Sequence, residues 1–109
     1  MRILRFNVEG QIIKQDPNCD FSGLVPGTEG YVQGEFSFSP EWGGCVKVAA
    51  FYSVLGQELG CALLKDGKSC VIPKEALKHR AFKVEIVGRK QNLKLITNKV
   101  EVTQTGGKS

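Results

Sequence analysis

The stretch Phe36-Ser-Phe-Ser-Pro-Glu-Trp42-Gly-Gly-Cys45-Val-Lys-Val-Ala-Ala-Phe51 predicts a strand, a tight corner and a second strand. Phe36 and Phe38 alternate with serines, which gives the first strand one apolar and one polar face. Pro40 ends that strand because it lacks the N–H that a ladder needs, and the two glycines after the tryptophan allow the chain to reverse. We therefore predict that Trp42 plugs the open end of a two-sheet core.

Short alternating runs recur on both sides of this stretch, separated by glycine, proline and asparagine turns. Asp66-Gly67 is typical of a type I′ hairpin turn, so we expect residues 69–72 to pair back on residues 61–64. Residues 73–77 form the one helix-like piece, because a proline stands at its first position. The pattern predicts an all-β, antiparallel sandwich of seven to eight short strands.

The length of 109 residues suits one sandwich domain over residues 1–105 and a flexible C-terminal end at 106–109. An apolar content of 41% and a charged content of 24% are ordinary for a globular domain. The alternation predicts a core made of Phe36, Phe38, Trp42, Val48, Phe51, Leu63, Val71, Phe82, Val84, Ile86, Leu95, Val100 and Val102.

The basic residues are scattered, and the net charge of +4 is mild. Many of them occupy alternate positions of predicted strands, which is typical of a solvated sheet face, so nucleic-acid binding is not expected. The first residues are interrupted by Arg5 and do not resemble a signal peptide. No segment approaches the length of a transmembrane helix. We therefore expect synthesis in a cytoplasm and no membrane partner.

The four cysteines are widely separated and lack the paired spacing of a zinc site. Cytoplasmic synthesis favours free thiols, although an even count also permits two disulfides. We expect Cys45, Cys61 and Cys70 to act as small hydrophobic residues in strands.

The sequence lacks the residue groups that catalysis requires. His79 is the sole histidine and lies between Lys78 and Arg80 in a predicted turn, so no nucleophile–base pair is expected. The glycines at 43–44 and 106–107 lack the following helix of a phosphate-binding loop. We therefore predict no enzyme activity, no catalytic residue, no cofactor-binding residue and no metal ligand.

Tyr31, Trp42 and Tyr52 are the aromatic residues that could line a sugar-binding face. A tryptophan beside a glycine corner more often fills a core. Binding of bacterial surface carbohydrate is therefore an alternative function, and the exposure of these three side chains discriminates it.

Several motifs follow one another along residues 1–105. They are Phe36-Ser-Phe, Trp42-x-Gly44-x-x-Lys47-x-Ala49-x-Phe51, Leu64-x-Asp66-Gly67, Val71-x-Pro73-x-Glu75-x-Leu77, Phe82-x-Val84-x-Ile86-x-Gly88 and Thr97-Asn98-x-Val100. Their order and spacing resemble those of small immunoglobulin-like domains in virion proteins of tailed phages that infect Gram-positive bacteria. Such domains stand at the N-termini of head fibres, baseplate proteins and tail fibres.

The resemblance implies an immunoglobulin-like sandwich that docks a chain to the virion, without enzyme activity or a cofactor. The implied partners are other virion proteins and further copies of the chain, and the implied location is the virion after synthesis in the host cytoplasm. An edge strand such as Leu93–Ile96 is where we expect a partner's backbone to pair. A small phage inhibitor of a host enzyme is a further alternative.

Overall fold

Two β-sheets lie face to face and enclose the hydrophobic core. The structure, a computed structural model that describes residues 1–106, confirms the predicted all-β sandwich. Within these residues the nine strands are β1 Arg2–Glu9, β2 Ile12–Gln15, β3 Val32–Phe38, β4 Val46–Ser53, β5 Glu58–Leu63, β6 Ser69–Val71, β7 Ala81–Lys90, β8 Leu93–Ile96 and β9 Val100–Thr103. A 3₁₀ turn spans Pro40–Trp42, and the short helix α1 spans Lys74–Leu77, inside the predicted segment.

The first sheet has the strand order β2-β1-β3-β6, and the second has the order β5-β4-β7-β8. All strand pairs are antiparallel except β1 and β3, which run parallel. One edge of β7 serves two partners, because its residues 87–90 pair with β8 and its residues 81–84 pair with β9. The predicted flexible end lies outside the described residues apart from Gly106, whose N–H donates to the Leu24 carbonyl at 2.7 Å.

Nine strands form rather than the predicted seven to eight, and the first two are separated at Gly10. Gly10 has a φ of 57°, a left-handed conformation that glycine adopts without strain. The chain reverses there, so that β1 and β2 pair as a hairpin with Val8 opposite Ile13. Both side chains are buried in the core.

The corner at Trp42 has the predicted structural role. Trp42 is fully buried, and its indole Nε1 donates a hydrogen bond of 2.8 Å to the Gly10 carbonyl. On β7, a Cβ atom at position 88 would lie 2.6 Å from the nearest indole carbon. Glycine at position 88 therefore makes room for the ring that closes this end of the core.

The turn at Asp66-Gly67 forms with the positive φ angles of 54° and 67° that a type I′ turn requires. The expectation that residues 69–72 pair with residues 61–64 is wrong. A single bridge joins Lys65 to Ser69, after which β5 stays in the second sheet and β6 pairs with β3 in the first. The turn crosses between the sheets, and this crossing lets the segments on both sides bury apolar side chains in one core.

Most predicted core residues are buried or pack against the core, but Leu63 and Val71 are 65% and 47% exposed. The prediction chose the wrong face of each strand, because the neighbouring Leu64 and Ile72 are the buried residues. Buried residues absent from the predicted list include Leu4, Phe6, Val8, Ile13, Leu24, Val32, Ala49, Leu64, Ile72, Ala76 and Leu77.

Candidate interaction surface

The sole histidine lies at the surface. His79 is exposed, and its main-chain carbonyl accepts a hydrogen bond of 2.7 Å from Gln104 Nε2. Among residues 1–106, no three His, Cys, Asp or Glu side chains lie close enough together to hold a metal ion. In the same part of the chain, no helix is both long and apolar enough to cross a membrane. The predicted lack of enzyme activity stays a prediction.

The three aromatic residues of the carbohydrate hypothesis do not share one surface. Trp42 is buried, whereas Tyr31 is exposed just before β3 of the first sheet. Tyr52 lies on β4 of the second sheet and is half-buried. These residues therefore form no joint stacking face for a sugar.

An apolar row crosses the outer face of the second sheet. Val48 on β4 lies opposite Leu63 of β5 on one side and Val87 of β7 on the other, and Val87 lies opposite Ile96 of β8. Side chains of directly opposite residues project from the same face of a sheet. Val48 and Val87 are half-buried, while Leu63 and Ile96 are 65% and 37% exposed. We call these four residues the apolar row.

A polar cluster lies beside the apolar row, built from Tyr52, Glu85 and Lys99. The Tyr52 hydroxyl donates to Glu85 Oε1 at 3.0 Å, and Lys99 Nζ lies 3.6 Å from Glu85 Oε2. The Lys99 ammonium also lies 4.6 Å from the centre of the Tyr52 ring. Burial, together with the hydrogen bond to Glu85 and its negative charge, raises the pKa of Tyr52 to about 12. The Glu85 carboxylate is therefore held between a neutral donor and a cation.

The outer face of the first sheet is polar by comparison. Arg5 of β1 and Glu35 of β3 form an ion pair of 3.3 Å on this face. Next to them, exposed Asn7 lies opposite exposed Ser37. The central strands of the first sheet thus turn charged and polar side chains outward, whereas those of the second sheet turn Val48 and Val87 outward beside charged residues such as Glu85 and Arg89.

Along one side of the sandwich, an asparagine joins the two sheets. Asn98, between β8 and β9, pairs with Ile13 of β2 as a neighbouring strand would. Its Oδ1 accepts from the Ile13 N–H at 2.7 Å, and its Nδ2 donates to the Ile13 carbonyl at 3.3 Å. The edge of β2 is therefore bonded to the second sheet. We call this the closed side.

Two glutamines extend the closed side in both directions. Gln11 Nε2 donates to the Ile96 carbonyl at 3.0 Å, and Gln15 Nε2 donates to the Glu101 carbonyl at 3.0 Å. The last carbonyl of the predicted edge Leu93–Ile96 is thus already bonded, and pairing of a partner's backbone with this strand stays a prediction.

The opposite side of the second sheet is open along β5, which pairs with β4 alone among the described strands. Cys61 and Leu63 are exposed there. The hairpin tip that leads into β5 carries Leu55, the most exposed large hydrophobic side chain among residues 1–106, at 94%. We call this the open side.

All four cysteines are unpaired thiols in the structure. Cys45 and Cys70 are buried and act as small hydrophobic residues, as predicted, and burial raises the pKa of Cys70 to about 11. The same prediction was wrong for Cys61, which is exposed on the outer face of β5. Cys45 also lies just before β4 rather than in it.

The sequence prediction missed the apolar row because it placed Val48 and Leu63 in the core. A usable signal was present, since Val48 and Phe51 lie three positions apart and must point to opposite faces of one strand. Phe51 is fully buried, so Val48 points outward.

The chain matches no protein-family model, no curated protein sequence and no solved structure. The likeness to immunoglobulin-like phage domains therefore rests on the motifs named above.

Proposed function

We propose that this domain is a non-enzymatic docking module of a tailed-phage virion, and that it binds another virion protein through the outer face of its second sheet. The observation that carries the proposal is the apolar row, in which Leu63 and Ile96 remain exposed at its two ends. Contiguous exposed apolar surface on a small domain marks sites where other proteins bind.

The polar cluster gives this face the composition of an interface. Protein–protein interfaces have an apolar centre and a polar rim, and tyrosine is enriched in them. Tyr52 and Lys99 lie at the rim of the apolar row, with their polar groups fixed by Glu85. A prearranged rim loses little side-chain freedom when a partner binds.

The resemblance supplies the class of partner. Its motifs include Trp42, Gly88 and the Asp66-Gly67 turn, which in this chain close the core and connect the sheets. The shared residues thus build a scaffold, and scaffold domains of this kind dock phage fibres and baseplate proteins to the virion.

Cosedimentation tests the proposal. Tagged domain is mixed with particles of the phage that encodes it, and with each separated virion protein, and bound domain is measured after centrifugation or capture. We expect binding to one identified virion protein. Val87→Lys together with Ile96→Lys should weaken binding by at least ~10-fold, because interface centres carry most of the binding energy.

The matched control is Ser37→Lys, which adds a lysine to an exposed position on the outer face of the first sheet. We expect it to leave binding unchanged. Tight binding to a host enzyme without binding to virion proteins would reject the docking role and favour the inhibitor.

A further inference from the structure

Strand β5 is the longest open sheet edge within residues 1–106. Its residues from Leu59 to Leu63 carry no charge, whereas the edge strands β2 and β8 carry Lys14 and Lys94. Edge strands that must stay single are commonly protected by lysine, by proline or by a covering segment. At Gly60 the register with β4 shifts, and a Cβ there would lie 3.7 Å from Pro73, so the open part of the edge is Cys61–Leu63. An uncharged open edge of this kind is a template for pairing with another chain.

The hydrogen-bond pattern shows which main-chain groups of β5 are free. The Leu64 N–H donates to the Lys47 carbonyl at 2.9 Å, which makes this a hydrogen-bonded pair of the antiparallel ladder. Such pairs alternate with pairs whose main-chain groups point away. Ala62 therefore bonds to β4, while the N–H and C=O groups of Cys61 and Leu63 point to the open side.

We propose that two copies of the chain pair through β5 in antiparallel orientation, with Cys61 of each copy opposite Leu63 of the other. In this register both pairs exchange their N–H···O bonds, so every free group of these two residues is satisfied. The proposal goes beyond docking to a virion protein, because it uses the edge of the second sheet rather than its outer face.

Charge favours a second copy as the partner. Glu58, exposed at the start of β5, lies in this arrangement near the turn that follows β5 of the second copy. That turn carries Lys65 and Lys68 against the single Asp66. Lys47 adds a further positive charge beside this turn. Its Nζ lies 3.2 Å from the position that a Cβ atom of residue 67 would occupy. The acidic end of each strand thus faces a basic region of the other copy.

Apolar contacts agree with the same register. The side chains of Cys61 and Leu63 both project from the outer face, since they lie opposite Ala50 and Val48 of β4. Leu63 at the end of the apolar row would therefore contact Cys61 of the second copy. Self-pairing joins the two rows across the dimer and leaves Val87 and Ile96 available to a virion protein.

Analytical ultracentrifugation of the full chain under reducing conditions tests the self-association. We expect a concentration-dependent dimer. Cys61→Pro removes the outward N–H and, because the residue does not bond to β4, leaves the ladder intact. It should raise the dimer dissociation constant by at least ~10-fold, since each copy loses the hydrogen bond that the N–H of its residue 61 donates across the interface.

Lys94→Pro is the matched control, because this position on β8 also points its N–H away from the neighbouring strand. It should leave the dimer intact. Leu63→Lys provides a second test that keeps the main chain unchanged, and it should also weaken the dimer, by placing a charge on the edge. Circular dichroism of each variant verifies that it is folded.

Disulfide trapping tests the register. Opposite residues in a hydrogen-bonded pair have Cα atoms about 5.5 Å apart, within the range of a disulfide. Mild oxidation of a mixture of the native chain and the double variant Cys61→Ser, Leu63→Cys should give a cross-linked heterodimer. The native chain mixed with Cys61→Ser alone should give none.

A chain that is monomeric at all concentrations would overturn the proposal, and cross-linking of native chains through Cys61 would overturn the register. The virion experiment separates this proposal from the docking function. If the chain is a monomer that still binds a virion protein, only the self-pairing proposal is rejected. If it is a dimer that binds no virion protein, only the docking function is rejected.

Discussion

Strands β2 and β5 are both edge strands of the same sandwich, yet one is sealed and the other is open. On the closed side, Asn98 satisfies both main-chain groups of Ile13 across the gap between the sheets. On the open side, no described residue does the same for Cys61 or Leu63. The difference is made by amide side chains rather than by an additional strand.

Amides are suited to this task because each carries both donors and an acceptor and has no charge to titrate. Gln11, Gln15 and Asn98 therefore protect the edge of β2 at any pH at which the domain is folded. Among residues 1–106, no amide side chain bonds to the outward main-chain groups of Cys61 and Leu63, which leaves these groups to a second chain or to water.

The largest expected effect concerns Trp42, whose indole bonds to the turn between β1 and β2. Trp42→Ala should lower the free energy of unfolding by ~3–5 kcal/mol, the usual cost of removing a large aromatic side chain from a core. Urea denaturation followed by circular dichroism measures it. Trp42→Phe, which keeps a ring but loses the hydrogen bond to Gly10, should cost less. Equal losses for both variants would show that the hydrogen bond rather than the packing dominates.

Asn98→Ala should destabilise the closed side by about 1–3 kcal/mol, because the N–H and C=O of Ile13 lose their partners. Asn92→Ala, in the exposed turn between β7 and β8, is the matched control and should stay within about 0.5 kcal/mol of the native chain. Chemical denaturation at neutral pH compares the two variants. Similar stabilities would mean that the closed side contributes little and that water replaces the asparagine without cost.

Alkaline pH should weaken the second sheet at its polar cluster. The pKa of Tyr52 is raised to about 12 in the folded chain, above the value of about 10 for an exposed tyrosine. The stabilisation is therefore complete below pH 10 and is lost as the pH rises toward 12. The stability difference between the native chain and Tyr52→Phe, measured by denaturation at pH 8 and pH 11, isolates this residue from the titrating lysines. A constant difference would contradict the role of its hydroxyl proton.

The smallest effect is expected on the open side. Leu63→Ser should change the free energy of unfolding by no more than about 0.5 kcal/mol, because the side chain is 65% exposed. The measurement is made on the Cys61→Pro background, so that self-association does not contribute. A loss above ~2 kcal/mol would place Leu63 in the core, as the sequence alone suggested.

Local features of the fold were predictable from the sequence. Pro40 and Trp42 mark a corner through their own backbone and side-chain chemistry, and the Asp66-Gly67 turn forms for the same reason. The partner of each strand was not predictable in this way, because β6 follows that turn but pairs with β3. A turn determines where the chain bends, whereas burial of both flanking strands determines which sheet each one joins.

The candidate surface was harder to predict, because the second sheet has apolar residues on both faces. Alternation separates Val48 from Ala49, and only the position of Phe51 on the same face as Ala49 shows which one is inside, so the larger side chain was the wrong choice. The closed side left no local signal at all, since Asn98 acts on a residue from the other end of the chain. The virion role remains a prediction from the motifs.

The Asn98–Ile13 pair has a consequence for how the chain folds. The two residues are 85 positions apart, and the Gln15–Glu101 bond spans 86. Closing so long a loop is entropically costly, and a topology rich in such distant pairings folds slowly. During synthesis, β1 and β2 leave the ribosome long before their partners are made. We expect the edge of β2 to stay unprotected until the last strands emerge. The risk of aggregation is therefore highest during translation and during refolding, before the closed side has formed.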